Sequence, residues 1–438
     1  MGRITFVAVR IRDSFWFVPA LAIIVAIGLA ELAVALDRAL EVEGVFIIEV
    51  GPEGARGLLA AIATSMLAVA ATMFSITIAV LALTSSAYGP RLVRNFMADR
   101  GNQFVLSVLV STSLYALLVL RWVRAGDDDE FVPALAVSIA LGLTVVCISS
   151  LIYFIHHISV GIQISTLSGS VRTDLAFRMR QTYPETHPDS TRPASEWPAA
   201  DGSELVVAAQ EDGYVADIGG RDLVTAASRA GGRIDLLVRP GGFVCAGDHV
   251  ALVVIEHDEN HDESVDARRS SLVAAVRTNV AVRDERTPYQ DVEHLARQLV
   301  DIAVRAVSAG VNDPYTAVGA IDSLKAAFAA TATHPYPQTV LVDEQGLVRV
   351  RVAHRSWSDL VVEVVDAIRH YCAGQPVVAE RLLDLLGGLA VRATDPARRI
   401  ALVEAADRVL SGVDAPSVLE VDRERLLAAA AWRETVRS

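Results

Sequence analysis

Four apolar runs occupy the first 165 positions, at 15–36, 57–83, 101–120 and 131–155. Each is long enough to cross a hydrocarbon core of about 30 Å, which takes about 20 helical residues. The first contains one charge, Glu31, and the other three contain none. Backbone amides find no water at that depth, so such runs must be helices that satisfy their own hydrogen bonds. The first run is too long for a cleavable leader, and no small-residue A-x-A site closes it, so it is expected to stay in the protein. The surrounding phase is therefore expected to be a lipid bilayer, and residues 1–165 a four-helix transmembrane domain.

Arginine placement predicts orientation, because positive flanks stay in the cytoplasm. Arg3, Arg10, Arg12, Arg91, Arg94, Arg100, Arg172, Arg178 and Arg180 fall on one side. Arg38, Arg56, Arg121 and Arg124 fall on the other, among Asp37, Glu41, Glu43, Glu49, Glu53 and the acidic run 127–130. Both termini are thus expected on the cytoplasmic face of a bacterial inner membrane. Cys147, Cys245 and Cys372, an odd and scattered set, suit a reducing compartment.

The second run is the most patterned. Alternating steps of four and three pick out Ala61, Ser65, Ala68, Thr72, Ser75, Ala79, Ala82 and Ser86, so one face is small or hydroxylated throughout. Such a face serves close helix packing or the wall of a polar pathway in a homo-oligomer. Ser65, Ala68, Thr72, Ser75, Ala79 and Ser86 are the pathway-lining candidates, with Met66, Met73 and Phe74 off the stripe, facing lipid or neighbouring helices. Glu31, His156 and His157 are ionisable groups near membrane depth, and they stand as an ion or proton site against interfacial anchoring. Trp122 and Tyr153 fit an aromatic belt.

Beyond the spans, prolines 184, 188, 193 and 198 among Ser, Thr and acids predict an extended linker within 166–202. Residues 166–438 hold 29 basic and 40 acidic side chains, an acidic balance that argues against a nucleic-acid partner. Short β-rich segments at 204–210, 213–218, 233–238 and 249–256, separated by Pro240-Gly241-Gly242 and Gly247-Asp248, predict strands. The stretch from Gly213-Tyr214-Val215 to His249-Val250 resembles the small barrel-sandwich modules of biotinyl and lipoyl carriers and of export adaptors. A carrier needs a lysine at a hairpin tip, and the single lysine, Lys325, lies elsewhere in a helical segment. No cofactor is therefore expected.

The expected fold is four transmembrane helices followed by a cytoplasmic α+β domain, with the β module at 203–257 and a mostly helical part at 258–438. His257 and His261 have the i, i+4 spacing of a two-imidazole face, but the surrounding acids read as a solvated loop and no metal is expected. The periodicity of 292–309 predicts an amphipathic helix ended by Gly310. Asn312-Asp313-Pro314 then supplies a cap and a helix-starting proline for a second helix through Ala330, with Asn312 and Asp313 as a candidate anion site. A hairpin is predicted at 338–343 and 347–354, and helices from Trp357 onward. No GxSxG, Walker, GxGxxG or HExxH pattern occurs, so an enzyme is not expected.

Three stretches together carry a family resemblance: 85–96 (SSAYGPRLVRNF), 115–121 (YALLVLR) and 301–317 (DIAVRAVSAGVNDPYTA). They resemble the bacterial predicted integral membrane protein family, domain of unknown function 2254. The resemblance implies an integral membrane location and supplies no activity, ligand or catalytic residue. The expected function is that of an oligomeric channel- or transporter-like protein with a regulatory cytoplasmic domain. The alternative is a membrane-anchored scaffold or sensor that binds a cytoplasmic protein partner.

Overall fold

The computed structural model describes residues 16–39, 50–88, 99–124, 131–161, 164–199, 204–256, 264–371, 374–412 and 418–437. The chain divides into two compact units, Ile4–Thr166 and Leu167–Ser438. His257, His261 and Cys372 lie outside the described residues, as does most of the 85–96 motif.

The first unit contains four helices long and apolar enough to cross a membrane. They are α1 (Phe17–Ala39), α2 (Pro52–Tyr88), α3 (Arg100–Leu120) and α4 (Ala134–Gly161). Two of their starts carry local signals: Pro52 opens α2, and Asp99 caps α3 by accepting the Gly101 amide at 2.7 Å. The α4 start is capped from a distance, since Asp37 at the end of α1 takes the Leu135 and Ala136 amides at 3.0 Å each. Helix α3 is the hub, packed on α1, α2 and α4. Half of its apolar stretch is buried, against 17% in α2. The contacts are polar as well as apolar: the Ser113 hydroxyl donates to the Ala63 carbonyl at 2.8 Å, and the Tyr115 hydroxyl donates to the Ala136 carbonyl at 3.0 Å.

In the second unit, α5 (Ile164–Thr182) covers much of the segment expected as linker. The chain beyond α5 is docked rather than free. Tyr183 is fully buried, its hydroxyl donating to the Arg355 carbonyl at 2.9 Å, and β1 (Thr191–Arg192) pairs antiparallel with β8 (Val340–Val342). Around this strand the chain turns rather than running extended, with the Pro188 carbonyl accepting the Thr191 amide and Pro193 opening a 3-10 turn at Ala194–Glu196; a segment beside an open sheet edge can still become a strand.

The four predicted strands form β2 (Leu205–Ala208), β3 (Gly213–Ile218), β4 (Gly232–Leu236) and β6 (His249–Ile255), and a short unpredicted β5 (Phe243–Val244) lies between the last two. With β7 (Val280–Arg283), β8 and β9 (Val348–Arg351) they are shared between two sheets. One has the order β1-β8-β9-β4-β6-β2 and the other β5-β3-β7. The barrel-sandwich expectation assumed that 203–257 closes on itself; instead β4 pairs in parallel with β9 from the later hairpin. Helix α6 (Gly220–Arg229) also intervenes between β3 and β4. With α7 (Val265–Asn279) it buries Leu223, Ala227, Leu272 and Val276 against Ile234, Val253 and Val350 of the larger sheet.

The remainder is helical: α8 (Val292–Ala306), α9 (Pro314–Ala329), α10 (Trp357–Arg369), α11 (Pro376–Arg392), α12 (Pro396–Ser411), α13 (Glu420–Ala429) and α14 (Trp432–Arg437). Three of these begin on proline, whose fixed φ and missing amide suit the first helical position.

Candidate functional site

The two sides of α2 have opposite fates. Leu59, Ile62, Ala63, Met66, Ala70, Met73 and Thr77 are buried within the bundle. Ala61, Ser65, Ala68, Thr72, Ser75, Ala79 and Ala82 are all exposed, so the small-residue stripe is not the surface that α2 uses inside its own chain. Met66 and Met73 meet neighbouring helices, while Phe74 is 40% exposed. The side chain of Ser86 lies outside the described residues. The hydroxyls of Thr72 and Ser75 donate back to the Ala68 and Ala71 carbonyls at 3.0 Å each, which leaves the stripe compatible with an apolar neighbour. Its mean step of 3.5 residues is that of a left-handed helix seam.

The ionisable residues near membrane depth do not form one site. Glu31 Oε1 pairs with Arg121 Nη2 at 2.6 Å, beside the C-terminal end of α3. His157 Nε2 pairs with Asp99 Oδ2 at 2.8 Å, beside the N-terminal end of the same helix, and stacks on Tyr153 with ring centroids 5.3 Å apart. His156 is exposed. The sequence reading missed Asp99, although an Asp just before an apolar run is a capping signal. It also missed the buried polar side of α3, where Asn102, Gln103, Ser107, Thr112 and Ser113 are enclosed.

Asn312 and Asp313 stand at the start of α9. Asn312 adopts φ 49° and accepts from Gln375 Nε2 at 3.0 Å. The Asp313 carboxylate accepts the Thr316 amide at 3.1 Å and hydroxyl at 2.6 Å, and these bonds hold it below the usual carboxylate range. The helix start is thus capped by the protein's own anion.

The most elaborate charge arrangement in the second unit centres on Glu293, in the first turn of α8. Its carboxylate meets Arg355 Nη1 and Arg297 Nη2 at 2.7 Å each and Arg286 Nη1 at 3.3 Å, with Arg239 Nη2 at 3.8 Å. Burial works against ionisation, but Arg286, Arg297 and Arg355 outweigh it and hold the carboxyl below its ordinary range. Asp291, the α8 cap, is clasped by Arg286 through Nε at 2.6 Å and Nη2 at 2.9 Å and also accepts the His294 amide. Glu363 pairs with Arg297 and Arg355. Arg239, Asp291, Glu293 and Arg355 of this network form one wall of a cavity of about 350 Å³, whose other walls include Arg178, Tyr183, Ile218, Leu341 and His354. Nothing in the local sequence pattern marks it, because its members come from five separate segments. Among the described residues no group of three or more His, Cys, Asp or Glu is arranged to hold a metal.

The DUF2254 predicted membrane protein family matches the chain over residues 12–387. The chain belongs to this family. Similar proteins include uncharacterized proteins of Mycobacterium tuberculosis (strain ATCC 25618 / H37Rv) and Mycobacterium bovis (strain ATCC BAA-935 / AF2122/97). Each is 29% identical over 423 residues, covering 96% of this chain and 80% of the relative. No solved structure matches the chain.

Proposed function

We propose that this DUF2254 protein is a non-enzymatic inner-membrane homo-oligomer whose copies meet along the exposed stripe of α2. Ser65, Thr72 and Ser75 then line a pathway for a small solute or ion, and the C-terminal unit regulates it from the cytoplasm. The observation that carries this reading is the stripe itself. A seam with a 3.5-residue repeat, small enough for close backbone approach, faces away from its own bundle. Four spans alone enclose little space, and a small-residue seam is what lets several copies approach.

Single cysteines at Ser65, Thr72 and Ser75, in a background with Cys147, Cys245 and Cys372 replaced by serine, test it in native membranes. The expected result is oxidative cross-linking between copies together with labelling by a membrane-impermeant thiol reagent. Protection of all three positions without cross-linking overturns it. The cytoplasmic assignment of the second unit rests on the arginine imbalance; a C-terminal reporter active only outside the cell overturns that part.

A further inference from the structure

The cavity bounded by the β3–α6 turn, the start of α8 and the segment after β9 has a charge balance opposite to that of its surroundings. Its lining sets Arg178, Arg239 and Arg355 against Asp291 and Glu293, in a unit that is otherwise strongly acidic. The carboxylates are already spent. Both Glu293 oxygens are within 3.3 Å of other arginines, and Asp291 is held by Arg286 on both of its oxygens. Arg239 is left at 3.8 Å from Glu293, beyond hydrogen-bond reach, with its side chain 43% exposed. Arg178 bonds only a neutral acceptor, Gln181 Oε1 at 2.8 Å, and has no carboxylate within 4.0 Å among the described residues. One cavity-wall guanidinium thus has no carboxylate partner and a second holds only a long, half-exposed ion pair, while Ile218, Pro240, Tyr289 and Val352 supply apolar surface next to them.

We propose that this cavity binds a small organic phosphate, with Arg178 and Arg239 on the phosphate and the organic body against the apolar wall. Arg178, without a carboxylate, and Arg239, held only at 3.8 Å, are the guanidiniums free to turn to a phosphate monoester, whose charge approaches two at neutral pH. The guanidinium fork fits phosphate oxygens in pairs, and the volume lies within the range of small-molecule sites. The proposal is independent of the α2 seam and of how the spans assemble.

Calorimetric titration of the full-length protein in detergent with phenyl phosphate tests it, with inorganic phosphate, phenol and benzoate as comparison probes. Saturable binding of phenyl phosphate is expected, at least about tenfold tighter than each of the other three. Arg178→Gln and Arg239→Gln are each expected to weaken it by about tenfold or more, a loss of about 1.4 kcal/mol, with unchanged thermal midpoints. Arg425→Gln, which removes a surface pair with Glu380 on α11, leaves the affinity as it was. Absence of binding into the millimolar range overturns the proposal, as does undiminished affinity in both arginine variants. Inorganic phosphate, phenol or benzoate binding as tightly as phenyl phosphate overturns the assigned ligand class.

Discussion

His157 Nε2 lies 2.8 Å from Asp99 Oδ2, which ties the end of α4 to the first turn of α3. The same carboxylate caps α3 through the Gly101 amide. A Cβ at Gly101 would come within 2.8 Å of His157 Nε2, so the imidazole would have to move aside. Asp99→Ala loses the cap and the pair together, and a lost cap alone costs about 1 kcal/mol. Gly101→Ala keeps the carboxylate but pushes the imidazole away. Unfolding titrations from bicelles into SDS should rank the stabilities wild type, Gly101→Ala, Asp99→Ala. Equal midpoints for all three would show that neither bond contributes.

Two hydrogen bonds fasten α3 to its neighbours, from Ser113 to α2 and from Tyr115 to α4. Interhelical bonds of this kind are worth about 0.6 kcal/mol in membrane proteins, because the separated helices also find partners. Ser113→Ala and Tyr115→Phe are therefore expected to destabilise by about that amount each, and to add, since the bonds reach different helices. A joint loss far above the sum would mean that the two contacts act as one unit.

The two faces of α2 predict opposite phenotypes. Met73 is 3% exposed within the bundle, so Met73→Ala opens a cavity and costs about 2–5 kcal/mol of stability, leaving association between copies intact. Ala68→Phe adds bulk to the exposed stripe, where it meets nothing in its own chain. It is expected to preserve the unfolding midpoint of the dissociated chain and to shift the detergent-solubilised protein toward monomer, as read by light scattering. An unshifted mass for Ala68→Phe counts against the seam.

Much of the architecture is visible in the chain because its signals are local. The spans are uninterrupted apolar runs, and Asp313-Pro314 marks the start of α9 by cap and proline together. The small face of α2 also follows directly from spacing, but its exposure does not, since only packing decides which side of a uniformly apolar helix turns inward. Helix α6 is legible only in part: Leu223, Val224, Ala226 and Ala227 pack on the core at helical steps, but the helix is ten residues long and set between the glycine pairs 219–220 and 231–232, which read as turns. The pairing of β4 with β9 joins segments more than a hundred residues apart, and no local pattern encodes it. The cavity network fails the same way, since Arg239, Arg286, Glu293, Arg355 and Glu363 look like ordinary surface charges until the fold gathers them.

Glu293 gives that network a testable pH dependence. Its carboxyl is held below the ordinary range by Arg286, Arg297 and Arg355 in spite of burial, and its side chain is only 11% exposed. A depressed folded-state value means that the unfolded chain binds the proton more readily, with an ordinary Glu near 4.3. The contribution to stability is therefore complete above about pH 4.3 and is lost as pH falls through the lower folded-state value. Glu293→Gln removes the anion at the centre, leaving Arg286 with Asp291, and Arg297 and Arg355 with Glu363. The cost at neutral pH is expected to be about 1–3 kcal/mol, that of hydrogen bonds to a charged group lost while its partners keep other carboxylates. Because the wild type loses the same interaction in acid, the gap between the two thermal midpoints should narrow below about pH 4. Asp343, also held low against burial by Arg349 and by the Leu347 amide, keeps some acid sensitivity in the variant. Thermal unfolding from pH 7 downward measures the gap, and two profiles that stay parallel would show that the Glu293 charge contributes nothing to the fold.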